Sequence, residues 1–367
     1  MSVRPRLQLS DLVKAYEGTK AVNGINLAVA AGEFLSILGP SGCGKSTLLS
    51  IITGLVAPDS GEVTVDGKLM NDVPPQRRQL GLVFQDYAVF SRMTVQQNIS
   101  FGLRARGMPR RAREEKVAAM ARQLDLESLL DRSGSTLNMS EMQRVAIARV
   151  LVTEPNVLLL DEPMSNLDAS IRMALRTELK QIQTALNQTV LYVTHDQIEA
   201  MAMSDRIAVM DAGKIVQIGS PQEIYHRPAT RFVAEFIGDP PMNIIECTVH
   251  HDRGDYLVST ALHGPMSVGE CRLDAGPALL GIRPHDVQLG DLATPGVVTT
   301  NVVYIENMGF EHIAYVTYGS AVLAIATRPG TVSEGDLVGV ELDPKSFHLI
   351  QANGAIVHPF SAERQNG

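Results

Sequence analysis

Residues 39–47 read Gly39-Pro40-Ser41-Gly42-Cys43-Gly44-Lys45-Ser46-Thr47, a complete G-x-x-x-x-G-K-[ST] pattern. An apolar run, Glu33-Phe-Leu-Ser-Ile-Leu, leads into it. A helix-like run, Ser46-Thr-Leu-Leu-Ser-Ile-Ile-Thr, leads out. Strand, glycine turn and helix N-terminus in that order aim successive backbone N–H groups at one point, where an anion is held. In such a cradle Lys45 reaches the β- and γ-phosphates, and Ser46 offers its hydroxyl to Mg²⁺. The pattern therefore predicts a nucleotide-binding α/β fold with a parallel sheet.

The chain has 367 residues, enough for two or three domains. Its 32 basic and 40 acidic residues give a formal net charge of −8, which argues against a main role in holding nucleic acid or an anionic membrane surface. No apolar run reaches the roughly 18–20 residues that span a bilayer. The start, Met1-Ser-Val-Arg-Pro-Arg, lacks a signal-peptide core, so a cytoplasmic location is expected. Cys43, Cys247 and Cys271 have no metal-type spacing and suggest no disulfide framework. Cys43 inside the glycine loop is either a small residue that fits or a reactive thiol.

Short β-like runs at 7–12, 25–29, 34–38, 62–65 and 81–84 fill the first hundred residues. A polar, helical-looking block follows at about 93–132. Its Arg110-Arg-Ala-Arg-Glu-Glu-Lys run mixes signs, as a solvated helix face does. Then come a helix near 140–153, a strand at 157–160, a helix at 169–187 and a strand at 189–193. Ile171, Leu175, Leu179, Ile182 and Leu186 recur at helical spacing and make a core face. Alternating strands and helices imply a largely parallel sheet covered on both faces. Beyond Gly238-Asp-Pro-Pro the runs are short, β-type and punctuated by Gly and Pro: 245–249, 256–259, 297–305, 313–317, 322–326 and 337–342. They predict an all-β, barrel-like domain over about 239–360. A disordered tail is expected at 361–367.

The second half of the chemistry is Val157-Leu-Leu-Leu-Asp161-Glu162-Pro. Four apolar residues form a buried strand that delivers two carboxylates at its end. Asp161 is expected to hold Mg²⁺, directly or through water. Glu162 is placed to polarise an attacking water as general base. Past the next helix and strand stands Val193-Thr-His195-Asp-Gln, where a strand-end His can reach a γ-phosphate and orient water. Gln85 also follows a strand and can sense Mg²⁺ and phosphate through its amide. Tyr16 can stack its ring on adenine; the alternative is a core or rim aromatic. Asp168, in Ser165-Asn-Leu-Asp, can cap the next helix.

The ordered set Tyr16, residues 39–47, Gln85, Asp161-Glu162, Asp168 and His195 resembles the ATP-binding cassette (ABC) ATPases of bacterial importers. The likeness is greatest to the branch energising carbohydrate and glycerol-phosphate uptake, to which the maltose importer ATPase belongs. It covers nearly the whole chain. It implies a P-loop cassette over 1–238 with a helical subdomain at about 93–153, then an all-β oligonucleotide-binding-like (OB-like) regulatory domain at 239–360. It also implies an enzyme that hydrolyses ATP with Mg²⁺ to drive solute import. Two cassettes pair head to tail, each ATP lying between the phosphate loop of one and a signature loop of the other. Asp168 communicates across that pair. The implied partners are the second cassette, two transmembrane permease subunits that dock on residues 85–94 and, indirectly, a periplasmic or lipid-anchored solute-binding protein. No nucleic acid is expected. The implied location is the inner face of the cell membrane, held peripherally. Phe236-Ile-Gly-Asp-Pro-Pro-Met-Asn243 and Leu280-Gly-Ile-Arg-Pro-His-Asp286 match the start of the family's regulatory domain, the Pro-Met-Asn piece most resembling the sugar branch. Alternatives are the same role for a polyamine, metal or oxyanion, or a cassette ATPase of DNA repair or translation. The latter families carry coiled-coil or zinc insertions or tandem cassettes, which this chain does not show.

One stretch departs from the family. Its signature reads Leu-Ser-Gly-Gly-Gln; here the chain reads Leu137-Asn-Met-Ser-Glu141-Met-Gln-Arg144. Aligned without a gap, Asn138 replaces Ser, and Met139 and Ser140 replace both glycines. Asn138 can cap the following helix and donate a hydrogen bond, and Ser140 partly replaces the lost hydroxyl. Met139 forbids the close backbone approach and positive φ that Gly allows. Losing one phosphate donor costs about 2–4 kcal/mol of transition-state stabilisation. Two assemblies follow: a homodimer with a variant loop, or an asymmetric pair with a different cassette.

Overall fold

The computed structural model describes residues 4–165, 167–252, 255–269, 273–292 and 297–359. Asn166, Cys271 and the 361–367 tail lie outside them. The chain forms two compact units, Met1–Pro221 and Gln222–Gly367.

In the first unit, strands β1 (Leu7–Tyr16), β2 (Thr19–Val29), β4 (Ser60–Val65) and β5 (Lys68–Leu69) make an antiparallel sheet in the order β2-β1-β4-β5. A six-stranded sheet holds β3 (Phe34–Leu38), β6 (Leu80–Val83), β7 (Val157–Asp161), β8 (Val190–Thr194), β9 (Arg206–Asp211) and β10 (Lys214–Gly219), ordered β10-β9-β3-β8-β7-β6. All neighbours in it are parallel except β9 and β10. Its central strands are apolar almost throughout because both faces are covered. One face packs on helix α1 (Lys45–Thr53) and the antiparallel sheet, through Ile37, Leu48, Ile52, Leu159 and Val193. The other packs on α2 (Val95–Ala105), α3 (Arg110–Gln123), α4 (Met139–Leu151) and α5 (Ala169–Leu186), through Ile99, Val117, Ile147, Leu158 and Leu179. The expected core face of α5 holds: Leu175 and Leu179 are buried, and Ile171, Ile182 and Leu186 pack partly buried beside them. On α3 the charges pair at helical spacing, Arg110–Glu114 at 2.7 Å and Arg111–Glu115 at 3.3 Å, as a solvated face does. A short helix α6 (Gln197–Met203) follows β8.

The second unit opens within α7 (Pro221–His226), followed by α8 (Arg231–Phe236) and two antiparallel sheets. One contains β11 (Asn243–Asp252), β12 (Asp255–Thr260), β13 (Met266–Ser267), β14 (Gly276–Ile282), β20 (His348–Ile350) and β21 (Ile356–Val357). The other contains β15 (Val287–Gly290), β16 (Val298–Asn307), β17 (His312–Tyr318), β18 (Ala321–Thr327) and β19 (Leu337–Leu342). Their inner faces share one apolar core around Ile245, Leu280, Val316, Leu323 and Val340. The all-β expectation holds, although β13, β14, β15, β20 and β21 were not foreseen.

The division falls at Pro221, seventeen residues before the turn at 238 where the sequence changes character. Arg283 gives a reason for the difference. Its buried guanidinium donates to the carbonyls of Tyr225 (2.8 Å), Ala234 (3.2 Å) and Ile237, and lies 4.3 Å over the Tyr225 ring. These bonds satisfy helix-end carbonyls of α7 and α8 and fasten both helices to the β-rich unit. Burial pushes its pKa down to about 10, which leaves it charged at neutral pH.

Candidate active site

The 39–47 loop joins β3 to α1. Gly44 has φ +108, and a Cβ there would meet the Ala21 carbonyl at 2.1 Å; a Cβ on Gly39 would meet the Met210 carbonyl at 2.2 Å. Only glycine lets the loop pass so close to its neighbours. Ser41, Gly42 and Ser46 are exposed, while Pro40, Gly44 and Thr47 are half-buried. Lys45 is buried, and its Nζ donates to the carbonyls of Gly39 (2.8 Å) and Pro40 (3.0 Å). Burial pushes the Cys43 thiol up, while the Lys45 charge pulls it back. A raised thiol holds little thiolate, so Cys43 reads as a packing residue rather than a reactive one.

Strands β7 and β8 lie side by side and parallel, so their C-terminal ends emerge together. Glu162 and His195 follow directly, and Glu162 Oε2 lies 2.9 Å from His195 Nδ1. A carboxylate accepts, so Nδ1–H donates and Nε2 is left to other partners. Glu162 has φ +45, a left-handed backbone rare for a side-chain-bearing residue. It is held there by its own N–H on Val193 O (2.9 Å) and by the Ser165 hydroxyl on its carbonyl (3.0 Å). Burial, then the neighbouring Glu162 charge, raise the Asp161 pKa; the Lys45 charge opposes them. A half-buried carboxylate beside a second one, within the field of Lys45, is a donor type that suits a hard cation. The donors present therefore fit Mg²⁺.

Gln85 is exposed two residues beyond β6. Tyr16 ends β1 with half its surface exposed and Lys14 Nζ 5.6 Å over its ring. It is a half-exposed rim aromatic. Asp168 departs from expectation: it occupies the N-cap position of α5, yet its side chain makes no capping bond.

In the 137–143 stretch the expected Asn138 cap is present, and only the positive φ set against Met139 is not needed. Asn138 caps α4 reciprocally: its Oδ1 accepts from Glu141 N and Glu141 Oε2 accepts from Asn138 N, both at 2.9 Å. This capping box starts the helix at Met139. Met139 therefore has helical backbone, and its side chain packs partly buried on the helical core. No positive φ is needed there, and Ser140 sits partly buried in the first turn.

Several supporting residues escaped the sequence reading. Asp196 Oδ1 caps α6 through Ile198 N (2.8 Å) and Glu199 N (3.1 Å), while its Oδ2 takes Arg172 Nη1 at 2.9 Å. Tyr87 is buried and donates its hydroxyl to Pro163 O at 2.8 Å. Tyr87 (φ +58) and Ala88 (φ +47) both adopt left-handed backbone, at about 1–3 kcal/mol each. Neither residue type signals that conformation, so sequence could not have found the turn.

Residues 22–165 match the protein-family model described as ABC transporter. An sn-glycerol-3-phosphate import ATP-binding protein of Paracoccus denitrificans is 42% identical over 350 residues, 94% of this chain and 96% of that protein. The chain belongs to the ABC transporter family. A trehalose/maltose import ATP-binding protein of Thermococcus litoralis is 40% identical, over 94% of this cassette chain and 96% of its own length. Among solved structures, a dimeric post-hydrolysis ATP-binding cassette bound to ADP and Pi is similar with TM-score 0.52 at 30% identity. It covers 59% of this chain and 98% of that one. This cassette is thus an ATPase of the ABC class with a second, all-β unit. Among the described residues, no helix is long and apolar enough to cross a membrane.

Proposed function

We propose that this chain powers import of a carbohydrate or glycerol-phosphate-type solute through partner permease subunits, from the inner face of the cell membrane. The observation that carries the hydrolytic part is the Glu162–His195 contact at the ends of two adjacent parallel strands. The solute class rests on the relatives whose names specify glycerol-3-phosphate and trehalose/maltose import.

In this reading Tyr16 stacks on adenine, and residues 39–47 hold the phosphates. Lys45 exchanges its two carbonyl acceptors for phosphate oxygens. Ser46, Gln85 and Asp161 hold Mg²⁺, which when bound screens and orients the phosphate charge. Glu162 takes a proton from the attacking water, and His195 holds the γ-phosphate end while fixing the Glu162 carboxylate. A neutral His195 that donates to Glu162 through Nδ1 only accepts at Nε2, so donation to phosphate requires the imidazolium. Asp168, free of capping duty, is available to a second cassette. Residues 85–94 receive the permease subunits, a solute-binding protein acts indirectly, and the all-β unit is regulatory.

We favour self-pairing. A helical backbone at Met139, which needs no positive φ, supports this, and Asn138 and Ser140 supply polar groups at the helix start. Size-exclusion chromatography with light scattering on Glu162→Gln protein tests this. An ATP-dependent dimer supports the homodimer. A monomer that binds ATP and pairs only with another cassette makes the asymmetric assembly the answer. Uptake of labelled glycerol 3-phosphate and maltose, in cells with and without this chain, tests the solute class; uptake of both unchanged by its loss sinks it.

A further inference from the structure

The segment after β6 is tied down by one side chain from a distant part of the sequence. Arg149, in the last turn of α4, donates Nη1 to Ala88 O at 2.6 Å and Nη2 to Tyr87 O at 3.0 Å. The same guanidinium lies 5.0 Å over the Phe90 ring. Phe90 in turn packs against Phe101 at 4.8 Å, and both rings are partly exposed. One planar fork therefore grips both carbonyls of the left-handed pair and the aromatic two residues on.

Each end of this segment leads to a different place. At its start is Gln85, and the Tyr87 hydroxyl reaches Pro163 O, the carbonyl next after Glu162. Its far end is fixed separately: buried Asn98 accepts from Phe90 N (2.8 Å) and donates to the carbonyls of Phe90 (3.1 Å), Met93 (3.3 Å) and Thr94 (3.0 Å). Between these anchors, the two left-handed residues carry no glycine to relieve them. Among the described residues, Arg149 alone donates to their carbonyls from another element. Burial lowers its pKa, and the Asp86 charge opposes that fall. Arg149 belongs to the helix whose first turn is the Asn138–Glu141 capping box. The clamp thus joins that helix, the Gln85 segment and the Phe90–Phe101 surface in one set of contacts.

We propose that Arg149 is a positioning residue for ATP hydrolysis: it holds the strained Tyr87–Ala88 turn so that Gln85 and the Pro163 carbonyl beside Glu162 stay in register. In this role it acts through Gln85 and Glu162 and not on the reacting atoms. The inference rests on the hydrolytic roles proposed above for Gln85 and Glu162. A displacement of about 1 Å at such groups costs about 100-fold in rate. Lysine, with one compact ammonium, can serve one carbonyl but not the parallel pair.

The test compares Arg149→Ala and Arg149→Lys with wild type in the full chain, by ATP affinity, steady-state turnover and hydrogen exchange. Expected for Arg149→Ala is a kcat loss of about 30- to 100-fold with ATP Kd changed less than about twofold. Arg149→Lys recovers part of the rate. Amide exchange speeds up about tenfold in peptides covering 84–91 and stays unchanged in 139–148. Turnover of Arg149→Ala within twofold of wild type overturns the proposal. So does an equal loss of affinity and rate, or faster exchange spread across the whole unit. If Arg149→Ala does not fold, Arg149→Lys decides by the same readouts. A wild-type chain that binds ATP without turning it over would instead remove the hydrolytic roles of Gln85 and Glu162, while local exchange in 84–91 would still judge the clamp.

Discussion

Glu162 Oε2 and His195 Nδ1 lie 2.9 Å apart, although 33 residues separate them in the chain. The contact exists because β7 and β8 are parallel neighbours that both end at the sheet edge where the 39–47 loop leaves β3. A carboxylate held by a histidine, which is in turn placed by a strand end, is an arrangement suited to orienting water. It also fixes what each partner can donate.

Replacing Glu162 by Gln keeps the side chain's size and its contact with His195, but removes its basicity. Turnover should fall by about 10²–10⁴-fold with ATP affinity nearly unchanged. Phosphate release at saturating ATP, set beside equilibrium nucleotide binding, measures this. Turnover near wild type would remove Glu162 from the base role.

Lys45 now satisfies two carbonyls of its own loop, at 2.8 and 3.0 Å. Lys45→Ala removes a charged donor, worth about 1.5–3 kcal/mol. ATP Kd should therefore rise about 10- to 100-fold. Calorimetric titration with ATP in Mg²⁺ buffer reads the shift, and an unchanged Kd would sink the cradle assignment.

The capping box at Asn138 predicts a graded response. Asn138→Ala should cost about 1 kcal/mol of stability, whereas Asn138→Ser, which keeps an acceptor, should cost only a few tenths. Urea denaturation of both variants is the measurement. Equal losses would show that the Oδ1 bond to Glu141 N contributes little.

Asp161 carries a sign that can be checked against pH. Its pKa is raised above the ordinary 3.8 by burial and by Glu162. Below 3.8 the carboxyl is neutral folded and unfolded alike, and its contribution to stability is full. As pH rises through the folded pKa, that contribution is lost. Without nucleotide or Mg²⁺, Asp161→Asn should therefore melt above wild type at pH 7, and the gap should shrink toward pH 4. A gap that grows as pH falls would contradict the burial argument.

Much of this was legible in the chain. Residues 39–47 required a strand, a turn and a helix, and these are Phe34–Leu38 and Lys45–Thr53 around a glycine loop. The apolar run before Asp161 required a buried strand, because four consecutive apolar residues need cover on both faces. Other features were not legible. The strand Gly276–Ile282 contains Gly and Pro, which mask its period, and it forms through pairing with Asn243–Asp252 and His348–Ile350. Met139 looked like an obstacle when set against glycine, but the Asn138–Glu141 box makes it an ordinary first helical residue.

By itself the sequence determined the chemistry on offer: a phosphate loop, two strand-end carboxylates, a strand-end histidine and a β-rich second half. Such signals are local, since glycine spacing and apolar periodicity act within a few residues of backbone. Only the tertiary structure decided which groups meet. His195 lies against Glu162, Arg149 grips Tyr87 and Ala88 from 62 and 61 residues away, and Arg283 draws two helices into the second unit. Those pairings depend on strand order and helix packing, which bring distant residues within bonding distance.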